Sequence, residues 1–104
     1  MRPPGGPEPA ILAFDTSRAH VSGAVFRGVP LAARTELTER GQAERLLPLL
    51  GELLDEAGMR WADLDLIAVG TGPGNFTGTR ISVAAARGMA LGLAVPAMGV
   101  SMFE

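Results

Sequence analysis

The chain has 104 residues, with nine arginines and no lysine against eleven acidic residues, for a net charge of −2. That length makes one domain or one lobe, able to bury roughly 60–65% of its unfolded surface, and the near-neutral balance gives no electrostatic reason for tight nucleic-acid binding. The absence of cysteine excludes disulfides and thiolate chemistry and is compatible with a reducing, cytoplasmic setting. No apolar run approaches the ~20 residues that span a bilayer, so no membrane partner is expected.

Residues 1–9 hold four Pro and two Gly. That density predicts a disordered tail, neither signal peptide nor anchor, with the folded unit at 10–104. Ala10 to Phe14 predicts a buried strand that delivers Asp15, Thr16 and Ser17 to its C-terminal end, a plausible ligand edge or an ordinary turn. Val21 to Phe26 predicts a second strand, Arg27-Gly28 a hairpin turn, and Val29 to Thr35 a third strand with Pro30 at its start. Together they predict an antiparallel meander.

Thr38 to Gly41 breaks the pattern, and Gln42 to Ala57 is helical by period. Ala43, Leu46, Leu47, Leu50, Leu53, Leu54 and Ala57 fall on one face, with Leu49 at its margin and Glu44, Arg45, Glu52, Asp55 and Glu56 opposite. Gly58 is a C-terminal stop signal, and Pro48 a misfit that predicts a kink or a late start. A strand follows at Leu66 to Gly70.

Gly70-Thr71-Gly72-Pro73-Gly74-Asn75-Phe76-Thr77-Gly78-Thr79-Arg80 then leads into a second helix, expected at about Thr79 to Leu93. A strand, a Gly-rich turn and a helix N-terminus in succession gather unpaired N–H donors where an anion is favoured. The stretch lacks the Lys-Ser or Lys-Thr of a Walker loop and the dinucleotide Gly-x-Gly-x-x-Gly spacing; a tight turn needing several positive φ angles explains it equally. The second helix carries only Arg80 and Arg87 as charges. A helix apolar nearly all round is covered on more than one side. Ala84, Gly88 and Gly92, four apart, allow close helix approach. Ala94 to Val100 predicts a short last strand, after which the chain looks cut.

The order of three strands, helix, strand, helix and strand resembles an α/β lobe of the actin-like ATPase and sugar-kinase (ribonuclease H-like) superfold, a mixed five-stranded sheet with two main helices. Gly72-Pro73-Gly74-Asn75-Phe76-Thr77-Gly78-Thr79-Arg80 resembles the Gly-Pro-Gly-Ser-Phe-Thr-Gly-x-Arg motif of the TsaB (YeaZ) family. Ile11 to Ser17 resembles that family's opening strand, Glu44 to Pro48 its first helix, and Leu91 to Ser101 the end of its N-terminal lobe. The resemblance implies a non-catalytic scaffold or activating subunit that dimerises with a TsaD-type transferase in making threonylcarbamoyladenosine beside the anticodon of tRNA. It also implies a TsaE-type ATPase in the complex, a possible homodimer through the same surface, and contact with tRNA only through the complex. The second lobe of the family is absent from this sequence.

Two departures bear on chemistry. Gln42 stands where the family often has His. Met102 stands where TsaD-type enzymes place the first His of a His-x-x-x-His metal motif, and a thioether is a poor ligand beside imidazoles. No metal, cofactor or catalytic residue is therefore expected, and the older peptidase label fails on ligands. Asp15, Thr16, Gly72, Gly74, Thr77 and Gly78 are the candidates for a degenerate phosphate-type site. Leu46, Leu50, Ile81, Ala84, Gly88 and Leu91 are the candidates for the partner interface, with Val83, Ala86 and Ala90 as the opposite side of the second helix. The competing expectation is a lobe of an ATP-using phosphotransferase, weakened by the missing Lys and by the lack of Gly in the Asp15-Thr16-Ser17 turn.

Overall fold

The computed structural model describes residues 8–16, 20–38, 40–71 and 76–100, with 76–79 described by backbone alone. Most of the expected tail, as well as Ser17, Gly72, Gly74 and Met102, lies outside the described residues. Among the described residues, five strands and two α-helices follow in order, β1 (Ala10–Asp15), β2 (His20–Arg27), β3 (Val29–Leu37), α1 (Gln42–Ala57), β4 (Leu66–Gly70), α2 (Phe76–Leu93) and β5 (Ala97–Val100), with a short 3-10 turn at Trp61–Asp63 before β4. They form one mixed sheet in the order β3-β2-β1-β4-β5.

The meander half is antiparallel, with Gly28 at φ +78° reversing the chain between the paired residues Arg27 and Val29. The other half is parallel, β1 with β4 and β4 with β5, and each new parallel strand is reached through a helix, as crossover connections require. Two hydrogen bonds pin the start of the parallel pair: the Ala10 N–H donates to Asp65 Oδ2 at 2.7 Å, and the Asp65 N–H donates to the Ala10 carbonyl at 2.8 Å.

Alternation assigns Leu12, Phe14, Val21, Val25, Ile67 and Val69 to one sheet face, and both helices pack there. Leu46, Leu49, Leu50, Leu53 and Leu54 of α1 and Ala86 of α2 complete that single core. Gly23 sets how closely α1 approaches, because a Cβ there would lie 2.8 Å from the tips of both Leu50 and Leu53. On the other face, register aligns Ala33, Ala24, Ala13 and Ala68 in one row across four strands.

Several boundaries differ from expectation. The buried arc of α1 centres on Leu46, Leu49, Leu50 and Leu53, so Leu49 is core and Leu47 is 52% exposed, with Ala43 also outside. The helix lies over β2 and β3, and the sheet takes Leu49 rather than Leu47 into its buried arc. Pro48 sits within an unbroken α1 on its solvent side. Lacking an N–H, it forgoes the bond to the Glu44 carbonyl one turn back. α2 begins at Phe76 rather than near Thr79, its long apolar body outweighing the weak propensities of Thr77 and Gly78. Ala94 belongs to no strand. It takes φ +58°, and the Val95 N–H donates to the Ala90 carbonyl at 3.0 Å. That is a left-handed helix stop on a residue with a Cβ.

Candidate functional site

Two regions of the molecule gather the residues that the sequence singles out. The first lies at the C-terminal ends of the parallel strands, where ligands of open α/β sheets bind. Phe14 pairs with Val69, so Asp15 and Gly70 come level at the ends of β1 and β4. A Cβ on Gly70 would lie 2.8 Å from Asp15 Oδ1 and 3.0 Å from its Cγ, so glycine is what lets the carboxylate lie against β4. Thr16 is fully buried beside it. The Thr71 N–H donates to the Val100 carbonyl at 3.0 Å, tying the start of the Gly-rich turn to β5. Of the predicted phosphate-type set, the structure thus brings Asp15 and Thr16 to the strand ends. Thr77 and Gly78 fall in the first turn of α2 by backbone, and Gly72 and Gly74 lie outside the described residues.

A depression of about 350 Å³ opens on the second sheet face next to this edge. Its floor is the alanine row Ala13, Ala24, Ala33 and Ala68, and Asp15, Ser22 and Thr35 form a polar end. The Ser22 and Thr35 hydroxyls are 3.1 Å apart and bonded to each other. Among the described residues, no three His, Cys, Asp or Glu side chains converge as a metal site. Gln42 donates through Nε2 to the His20 carbonyl at 3.2 Å, a bond from α1 to the start of β2.

The second region is the outer surface of the helix layer. Ala84, Arg87, Gly88, Leu91 and Gly92 are exposed along α2, Leu91 at 86%. A Cβ built at Gly88 or Gly92 meets no atom within 4 Å. Ala86 is buried and Val83 and Ala90 are half-buried, so that side of α2 faces the sheet. Of the predicted interface set, Ala84, Gly88 and Leu91 are on the surface and Ile81 is half-buried. Leu46 and Leu50 are not available. They are 1% and 0% exposed, because the sheet side of α1 consumes them in the core. Leu47, together with Gly51, is what α1 offers in their place.

Sequence periodicity missed an ionic lattice that fastens α1 to the edge strand β3. Arg45 donates through Nε to Glu36 Oε1 at 2.8 Å and through Nη1 to Glu52 Oε2 at 3.0 Å. Arg34 on β3 pairs with both Glu52 and Glu56. The hydrogen bond from Arg45 holds the Glu36 carboxyl below its ordinary range; Arg45 and then Arg34 do the same for Glu52. Arg45 itself is raised, first by Glu36 and then by Glu52. The alternation of Arg34 and Glu36 on one face of β3 was the available signal.

Comparison with known proteins accounts for this architecture. The family model "TsaD: tRNA N6-adenosine threonylcarbamoyltransferase" matches residues 34–104. The tRNA threonylcarbamoyladenosine biosynthesis protein TsaB of Escherichia coli is 40% identical over 91 residues, covering 88% of this chain and 39% of that protein. TsaB of Haemophilus influenzae is 35% identical with the same coverage of 88% and 39%. Among solved structures, YeaZ from Pseudomonas aeruginosa superposes with a TM-score of 0.84 at 42% identity, covering 89% of this chain and 44% of that one. Another Pseudomonas aeruginosa structure, described as similar to peptidase YeaZ, gives a TM-score of 0.85 at 41% identity over 89% of this chain and 43% of its own. The chain therefore spans less than half the length of these relatives. The mixed sheet with two helices is the actin-like, ribonuclease H-like fold that YeaZ has. The chain belongs to the family of the tRNA N6-adenosine threonylcarbamoyltransferase model and, within it, is a TsaB (YeaZ) family member.

Proposed function

We propose that the chain is a scaffold or activating subunit in threonylcarbamoyladenosine synthesis on tRNA, acting by dimerising with a TsaD-type transferase in the cytoplasm rather than by catalysis of its own. Such a complex includes a TsaE-type ATPase, and the chain meets tRNA only through it. The observation that carries this reading is the outer face of α2, where an 86%-exposed Leu91 and an exposed Ala84 flank a Gly88 with no atom within 4 Å of its absent Cβ. Two glycines inside a helix each cost about 1 kcal/mol relative to Ala, and close packing by another helix offsets that cost. Affinity capture with a TsaD-type transferase tests it. The wild-type chain is expected to retain the transferase and Gly88→Leu to lose it; equal retention by both removes the proposal's basis.

The level placement of Asp15 and Gly70 supports a second, smaller reading, an anion site at the strand ends built from Asp15, Thr16, Gly72, Gly74, Thr77 and Gly78. Enclosure supplies most small-ligand affinity, and this edge opens directly onto the uncovered sheet face. ATP or ADP is therefore expected to bind no more tightly than the ~mM range. Micromolar binding by calorimetry to this chain alone favours the phosphotransferase lobe instead.

A further inference from the structure

At the meander edge the apolar core ends at β2. Toward the helices β2 turns Val21, Gly23 and Val25, all buried, and their partners on β3 are Glu36, Arg34 and Ala32. No residue of β3 is buried. Ala32 reaches only the rim of the core, and Val29, Leu31 and Leu37 are exposed. Beyond its ladder with β2, what joins β3 to the helix layer is therefore charge. Arg45 of α1 forks onto Glu36, Nε to Oε1 at 2.8 Å and Nη2 to Oε2 at 2.7 Å, while its Nη1 donates to Glu52 at 3.0 Å. Arg34 reaches the other way, from β3 to Glu52 and Glu56. Carboxylate and guanidinium thus alternate along the seam as Glu36, Arg45, Glu52, Arg34 and Glu56.

An isolated exposed pair contributes little, but a network built on a forked arginine is the arrangement in which such pairs count. All five side chains are partly open to solvent, so salt reaches and screens them. β3 also supplies one side of the depression on the second sheet face, through Ala33, Arg34 and Thr35, and the Thr35 hydroxyl is bonded to that of Ser22. We infer that β3 is a latch, an edge strand that lifts from the sheet as a unit while the rest of the fold stands, and that the five-charge seam with α1 holds it shut. Lifting removes that wall of the depression and bares the outer edge of β2, whose backbone groups can then pair with another strand.

Hydrogen exchange of the full chain, read by mass spectrometry on peptides from β3 with those from β1 and β4 as reference, tests the latch. At low salt β3 is expected to exchange faster than either reference strand. Raising sodium chloride from ~0.02 M to ~0.5 M is expected to speed β3 at least about fivefold and to leave β1 and β4 unchanged. Glu36→Gln releases Arg45 from the strand without touching its bond to Glu52, and should speed β3 part of the way. The double variant Arg34→Gln/Glu36→Gln removes the ion pairs between strand and helix. It should show the high-salt rate already at low salt and respond no further to salt. Glu44→Gln, on α1 but outside the seam, should leave β3 as it is. Exchange of β3 in step with β1 and β4 overturns the inference, as does a salt response that survives in the double variant. A double variant that fails to fold overturns it too, since the rest of the fold would then not stand without a closed β3.

Discussion

At the scale of single residues, two backbone positions carry strain or closeness that only the structure reveals. Ala94 occupies the left-handed region at φ +58°, which costs an L-residue with a Cβ roughly 1–2 kcal/mol. Ala94→Gly is therefore expected to stabilise the fold by up to about 1 kcal/mol, the gain reduced by glycine's greater unfolded-state entropy. A denaturant midpoint that falls would show that the cap is not strained. Gly70 is the opposite case, since a Cβ there would meet Asp15 at three atoms between 2.8 and 3.1 Å. Gly70→Ala is expected to cost about 1–3 kcal/mol through overpacking. Urea titration that finds it neutral would mean that Asp15 moves aside without cost. Neither position was legible beforehand. Gly70 looked like the first glycine of a turn, and Ala94 followed a run of apolar residues that continues smoothly into β5.

At the scale of elements, the helix and strand periods were legible because they follow burial. α1 starts at Gln42 and stops at Gly58 as its sequence signals require. The Met59 N–H donates to the Leu54 carbonyl at 2.9 Å across the left-handed glycine. Which leucine of a six-leucine helix faces outward was not legible, because Leu47 and Leu49 are equally apolar and only the sheet decides between them. Leu46→Ala is accordingly expected to cost 2–5 kcal/mol and Leu47→Ala to stay within about 0.5 kcal/mol in the lone chain, both read by chemical unfolding. Equal losses would show that the arc is wrongly assigned.

The ionic lattice between α1 and β3 makes a separate prediction. Glu36 and Glu52 have folded-state pKa values lowered from an ordinary 4.5. The stability they contribute is present above that value and is lost as pH falls through the lowered ones. The wild-type melting temperature is expected to drop more steeply on acidification below pH 4.5 than that of Arg45→Gln. Parallel pH profiles would mean that the lattice contributes nothing measurable, as exposed ion pairs often do.

At the scale of the whole molecule, a sheet of mixed direction carries both helices on one face and a row of alanines on the other. The strand-end site and the helix layer are separate surfaces of that one body. Fold class was legible from element order together with the motif at Gly72 to Arg80, because turn glycines and strand ends are fixed by backbone geometry. The exposure of the proposed interface residues was legible only in part. Ala84, Gly88 and Leu91 sit outside as spacing suggested, whereas Leu46 and Leu50 serve the core, since a single sequence does not say which apolar residues a chain keeps for itself.

The central claim is that the outer face of α2 docks a TsaD-type transferase, and binding calorimetry of wild-type chain and Gly88→Leu against that transferase tests it most directly. In the isolated chain the new side chain enters open space and replaces a poor helix former. The variant should therefore be as helical as wild type and up to about 1 kcal/mol more stable. Against the transferase it should bind about 5- to 150-fold more weakly, the equivalent of ~1–3 kcal/mol of overpacking at a close helix crossing. Undiminished affinity in a folded Gly88→Leu chain would contradict the account.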